Sequence, residues 1–328
     1  MATINNTTAI DNFPYGLCFF DIDGTILKSD STMSDRVKNA INECRKRGAG
    51  ICIATGRPAC LAAKVPKILN YQIDYLITGN GNNIFEVNGE NPSDWGIPVP
   101  PIEVLHEPLV QFCDEVAEKL PNAEFMVVKT HHISTPPTET MACCDVNTTP
   151  HAITKLQPGL LKVFQKIMKS HKHAYSCPDF ANDNFNKAVV VMKDLNQEEC
   201  VEKVKPILEA SKVAGVDNWE IKCAGLSSAA EITPKGTDKA KMIHMLCEKL
   251  GKSNLDCISF GDGLNDVGML KYCGLGISMK NAEGTTVTES ANFETDTNDN
   301  DGVALILEEM IQSADSIRAY GEKKRGGN

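Results

Sequence analysis

Aromatic residues are scarce in this chain, at 6% of 328 positions, and no apolar run approaches the ~20 residues a helix needs to cross a bilayer. Membrane spanning is therefore not expected. Positive charge is also short: 33 Lys and Arg against 43 Asp and Glu leave a formal charge of −10. A nucleic-acid or anionic-membrane partner is excluded on that ground, because phosphate backbones are held by clustered cations. The short Lys323-Lys324-Arg325 run does not reverse the balance. No GxxxxGK[ST] loop occurs, and Gly48 and Gly50 do not form a dinucleotide fingerprint. The 13 cysteines include no CxxC pair, and Cys18, Cys52 and Cys257 lie inside apolar runs, so buried reduced thiols are expected. The odd count and the lack of a charged-then-apolar amino terminus predict a cytoplasmic protein, with the Asn5, Asn6 and Asn147 sequons as chance matches.

What is present is ordinary for a soluble globular chain, with 42% hydrophobic and 23% charged residues. At this length a single core has usually stopped growing, so two domains are expected. Leu17 to Ile22, Ile51 to Ala54 and Tyr75 to Thr78 read as buried strands. Between them, a helix follows a Ser34 N-cap with Val37, Ala40, Ile41 and Cys44 on one face, and Pro58 opens a second helix running to Leu69. This alternation predicts an α/β fold with a doubly wound parallel sheet.

After Asn88 the pattern changes. Strands at 124–129, 187–193 and 219–223, with helices near 109–120, 154–170 and 197–211, predict an inserted α+β domain over 88–223. Alternation then resumes with a helix at 237–250, a strand at 256–261, a helix at 266–272, a strand at 275–278 and a last helix from Gly302. Residues 1–87 and 224–328 thus form one predicted core.

Two acidic clusters carry the chemistry. Asp21 and Asp23 stand at the exit of the first strand, and Gly24 lets the chain turn sharply. One carboxylate can attack while the other handles a proton; alternatively the pair makes an Asx-turn or caps a helix. Gly261-Asp262-Gly263-Leu264-Asn265-Asp266 follows a later strand. In a parallel sheet both exits face one crevice, so these oxygens can gather round a Mg²⁺ ion.

Asp262 is the natural ligand, Asn265 can donate to phosphate, and Asp266 can orient a lysine or a metal-bound water or simply cap a helix. The spacing lacks the alternating acids and terminal Glu of an EF-hand. Thr55 ends the second strand, where its hydroxyl suits a phosphoryl oxygen or a helix N-cap. Lys239 opens a helix against the dipole, which fits a nearby anion, and Lys235 is its rival. His131, His132, His171 and His173 have no partner at zinc spacing, and Cys143-Cys144 has no base beside it.

Asp21-Ile22-Asp23-Gly24-Thr25, Ala54-Thr55-Gly56-Arg57, the lysine of Gly236-Thr237-Asp238-Lys239 and Gly261 to Asp266 resemble, in this order, the four motifs of the haloacid dehalogenase superfamily. Thr78-Gly79-Asn80-Gly81, Met279-Lys280-Asn281-Ala282 and Asn300-Asp301-Gly302-Val303-Ala304 are similar to segments of its Cof-type phosphatases, which carry a type IIB cap between the second and third motifs. Asn82 departs from the alanine usual in that family.

The resemblance implies that Asp21 is the nucleophile and that Asp23 is acid to the leaving alcohol, then base to water. It also implies Mg²⁺ held by Asp21, Asp262 and the Asp23 carbonyl, with phosphate bound by Thr55, Gly56, Lys239 and Asn265 and Asp266 standing behind them. Arg57, Asn80 and Asn281 are candidate substrate contacts. The implied activity is a Mg²⁺-dependent phosphatase for a small phosphorylated metabolite, a sugar phosphate foremost. A phosphomutase on the same scaffold and a non-catalytic phospho-ligand sensor are the alternatives, and no protein partner is indicated.

Overall fold

The structure, a computed structural model, describes residues 12–57, 62, 65–91, 94–100, 102, 106–129, 185–223 and 228–312. The expected helix over 154–170, the four histidines named above, Cys143, Cys144 and the Lys323–Arg325 run lie outside these residues.

Four consecutive apolar side chains of β1, Leu17–Phe20, are all buried, a pattern that suits an interior strand covered on both faces. The next element, α1 (Asp35–Lys46), buries Val37, Ala40, Ile41 and Cys44 on a single stripe. Ser34 caps it as expected, accepting from the Val37 amide at 3.1 Å, and Arg45 and Lys46 complement the dipole at its end. Then come β2 (Gly50–Ala54), the short α2 (Val65–Ile68), β3 (Tyr75–Thr78) and β4 (Asn83–Glu86).

An antiparallel region follows, with α3 (His106–Lys119), β5 (Glu124–Lys129), β6 (Phe185–Val191), α4 (Gln197–Ala210), β7 (Trp219–Cys223) and β8 (Ala229–Pro234). The chain continues through α5 (Lys239–Leu250), β9 (Cys257–Gly261), α6 (Val267–Tyr272), β10 (Leu275–Met279), α7 (Thr285–Ser290), β11 (Phe293–Thr295) and α8 (Gly302–Gln312).

The first sheet has seven strands in the order β11-β10-β9-β1-β2-β3-β4. β1 pairs in parallel with both β2 and β9, as β10 does with β9 and β11. Parallel pairing puts the carboxyl ends of β2, β1, β9 and β10 on one edge, so Thr55, Asp21, Asp262 and Lys280 each follow a strand exit there. The fold is the expected α/β architecture. β4, α7 and β11 are additions that the sequence pattern did not reveal.

The second sheet has four strands in the order β5-β6-β8-β7, all antiparallel. Its apolar side chains, with Phe125, Ala188, Val190, Trp219 and Ile232 among them, share a core with Leu109, Phe112 and Val116 of α3 and Val204 and Ile207 of α4. Phe112 meets Trp219 edge-on at 6.1 Å. The sequence reading placed residues from 224 onward with the alternating part, yet β8 is hydrogen-bonded between β6 and β7. Its Ala-Ala-Glu-Ile run completes the antiparallel sheet.

Contacts divide the chain into two compact units, Met1–Thr55 with Val65–Leu76 and Ile243–Asn328, and Gly56–Lys64 with Ile77–Met242.

Candidate active site

The pairing of β1 with β9 carries one residue past β1, where the Asp21 amide donates to Phe260 O at 3.0 Å. That bond fixes the backbone of Asp21 and leaves its side chain 6% exposed. The chain then turns at Gly24, whose φ is +79°. A Cβ there would overlap the Asp262 carboxylate, so glycine is required by both conformation and proximity. Thr25 closes the same approach from its side chain, donating to Asp262 Oδ1 at 2.7 Å.

The β9 exit is equally constrained. A Cβ on Gly261 would stand 2.5 Å from Asp266 Cβ and Cγ. Asp266 is fully buried, and its Oδ2 accepts from the amides of Asp262 and Gly263 at 3.0 and 2.9 Å. It thereby shapes the loop that presents Asp262.

These constraints gather three carboxylates. One oxygen each of Asp21, Asp262 and Asp266 lies within 4.8 Å of the others. At such a separation each ionised pair repels by on the order of 3 kcal/mol at an effective dielectric near 20. Hard oxygens, two of the three side chains buried, and a glycine keeping the approach open form a donor set that suits a small dication. Asp266, expected to stand behind the metal, lies within this cluster. Asp23, expected to give the metal its main-chain oxygen and to use its side chain as acid and base, has an exposed side chain.

Other predicted residues take distinct places. Thr55 is buried just past β2, two residues beyond Ile53, which is registered with Phe20. Asn265 is exposed on the single 3-10 turn Leu264–Asp266. Asn281, a predicted substrate contact, donates from Nδ2 to Gly24 O at 2.8 Å and accepts at Oδ1 from Asn298 N at 3.0 Å.

Gly56, Arg57, Asn80 and Lys239 belong to the second compact unit. There Arg57 O accepts from Gly79 N at 2.8 Å, and a Cβ on Gly81 would stand 3.2 Å from Lys239 N. Asn80 occupies the left-handed region at φ +58° between them. Lys239 is fully buried whereas its rival Lys235 is exposed, and Asp238 caps α5 by accepting from Lys241 N at 2.6 Å. Asn82 is fully buried and its amide donates to Ile102 O at 3.4 Å, so it braces this loop from within.

Sequence reasoning missed the bond from Thr25 to Asp262. The hydroxyl inside the first motif was the available signal for Thr25. Among the described residues, Cys18, Cys52 and Cys257 are buried as expected, and burial pushes the Cys44 thiol up to about 12.

The model of the haloacid dehalogenase-like hydrolase family matches residues 18–307. The chain is a haloacid dehalogenase-like hydrolase. Among its relatives, 5-amino-6-(5-phospho-D-ribitylamino)uracil phosphatase YcsE of Bacillus subtilis is 25% identical over 295 residues, covering 90% of this chain and 95% of that protein. An HMP-PP phosphatase of Escherichia coli O81 is 24% identical over 266 residues, covering 81% and 84%. In fold, this hydrolase is similar to the subclass IIB sugar phosphatase BT4131, with a TM-score of 0.67 at 22% identity over 89% of this chain and 98% of that one. No helix among the described residues is long and apolar enough to cross a membrane.

Proposed function

We propose that this hydrolase is a Mg²⁺-dependent phosphatase that cleaves a small phosphorylated metabolite, with sugar and sugar-alcohol phosphates as the leading class. The observation that carries the reading is the convergence of Asp21, Asp262 and Asp266 at adjacent strand exits, with Thr25 and Gly24 closing them together. The named relatives support the class, and the phosphoribityl group in one of their names supports the type of substrate.

Asp21 and Asp262, with the Asp23 main-chain oxygen, would hold Mg²⁺, and Asp266 stands close enough to share the load. When bound, the ion neutralises charge on the nucleophile and on the phosphoryl oxygens.

The side chains divide the remaining work. The Asp21 backbone is held by the hydrogen bond from its amide to Phe260 O, and its carboxylate attacks phosphorus to form an aspartyl phosphate as the bond to the leaving oxygen breaks. Asp23, exposed two residues on, gives its proton to that oxygen and then takes one from the water that attacks the acylphosphate. Phosphate leaves and Asp21 is restored. Such proton transfer is worth ~10²–10⁴ in rate. The larger share of the barrier falls to alignment and charge, to which Lys239, Thr55, Gly56 and Asn265 contribute as phosphate ligands.

A panel of sugar, nucleotide and cofactor phosphates, assayed for released phosphate with Mg²⁺ and with chelator, tests the proposal. Release that requires Mg²⁺ and disappears in Asp21→Asn is expected. Isomer interconversion without phosphate release would instead favour a mutase, and metal-independent turnover would overturn the reading.

A further inference from the structure

The short loop that leaves β10 touches both acid-bearing loops. Since β10 lies beside β9, and β9 beside β1, a residue after β10 must reach across the β9 exit to meet the β1 loop. Asn281 does so. Its Nδ2 donates to Gly24 O at 2.8 Å, and its orientation is fixed because Asn298 N donates to its Oδ1 at 3.0 Å. Asn298 in turn donates from Nδ2 to Leu27 O at 2.8 Å, so the loop after Asp23 is held at two carbonyls.

Two residues later, Glu283 holds the other loop. Its amide donates to Asp262 O at 2.8 Å, and its Oε2 accepts from Leu264 N at 3.2 Å. The loop is itself tight, with Ala282 N donating to Met279 O at 3.0 Å and Gly284 at φ +96°.

Two of the atoms held in this way, Gly24 O and Asp262 O, adjoin functional groups. Gly24 O lies between Asp23 and Thr25, and Thr25 binds Asp262. Asp262 O belongs to the metal-site residue itself.

We infer that Asn281 and Glu283 are positioning residues: the Met279–Gly284 loop is a strap that sets the spacing between the Asp21–Asp23 loop and the Asp262 loop. This rests on the phosphatase reading for its kinetic consequences and on the hydrogen bonds alone for its structural ones. Asn281 thus acts through Gly24 and not on the substrate. Misplacing a reacting group by about 1 Å costs on the order of 10²-fold, and loss of a residue that orients a metal ligand weakens the metal by ~10–100-fold.

Two variants separate the arms. Asn281→Ala should lower kcat by ~10–100-fold with KM nearly unchanged, and more for an alkyl phosphate than for 4-nitrophenyl phosphate, because only the poor leaving group depends on the Asp23 proton. Glu283→Ala should weaken Mg²⁺ binding by ~10-fold in calorimetry. Hydrogen exchange should show faster exchange of the Leu27 amide, bonded to Ile22 O at 2.9 Å, in Asn281→Ala. If Asn281→Ala does not fold, Asn281→Ser is read in the same assays.

A raised KM at constant kcat would make Asn281 a substrate contact and overturn the inference. Equal losses on both substrates, unchanged Mg²⁺ affinity in Glu283→Ala, or unchanged exchange at Leu27 would also overturn it. If the wild type hydrolyses no phosphoester, the phosphatase reading fails while the exchange and calorimetry still decide the strap.

Discussion

The seven-stranded and four-stranded sheets bury their polar groups for different ends. In the parallel sheet, buried Asp21 and Asp266 stand at strand exits beside other acids, an arrangement costly without a cation. In the antiparallel sheet, the buried charges are already matched: Lys187 Nζ meets Glu231 Oε2 at 2.7 Å, with side chains 6% and 3% exposed. One sheet concentrates like charge where a ligand can relieve it, and the other cancels charge internally. That contrast marks where chemistry is carried out and where a stable frame is sufficient.

The largest effect that would test this contrast is on catalysis. Asp21→Asn should lower kcat by ~10⁴-fold or more, as loss of a covalent nucleophile does. In metal-free protein the same change should hold or raise the melting temperature by removing one repelling carboxylate; a marked fall would break the contrast. Glu231→Ala reverses the pattern. It strands a buried ammonium and should cost about 3–5 kcal/mol, measured by urea unfolding, while Mg²⁺ affinity stays unchanged. Lys187→Met with Glu231→Leu should recover most of that loss.

Metal should stabilise only the acidic site. At 100 times its dissociation constant, Mg²⁺ should add about 2.7 kcal/mol, and Asp262→Asn should erase the gain in a thermal scan. The smallest effect concerns the surface pair Arg36–Glu308, with Nη2 to Oε2 at 2.6 Å and both side chains more than a third exposed. The hydrogen bond from Arg36 holds the Glu308 carboxyl below its ordinary range. Its contribution is therefore present above the unfolded-state value and lost as pH falls through the depressed folded one. Solvent screening keeps it within ~1 kcal/mol, so the urea midpoints of Arg36→Ala and wild type should differ slightly at neutral pH and converge in acid.

Much of this was legible in the sequence, because interior parallel strands are uniformly apolar and helix caps use few residue types. β1, β2 and β9 and the Ser34 cap could be read directly. β11 has three residues and α7 six, too few to show a period, and β4 begins at Asn83 in a run that reads as loop. The helix expected from Thr237 begins at Lys239 because Asp238 is its cap.

At the site, the acids stood out by spacing, whereas their ties did not. Thr25 and Asp262 are 237 positions apart, and Asn281 and Gly24 are 257 apart. No local pattern encodes a bond across such a distance. In the antiparallel region the sequence pattern revealed strands but no motif that names a substrate.

The most direct measurement is to mix the protein with Mg²⁺ and a radiolabelled phosphoester, quench in acid within the first turnover, and map the label by mass spectrometry. Phosphate on Asp21, labile to hydroxylamine and missing in Asp21→Asn, is the expected result. Phosphate attached to another residue, or released with full kinetics from Asp21→Asn, would contradict the assignment of Asp21 as the nucleophile of a metal-bound acidic cluster.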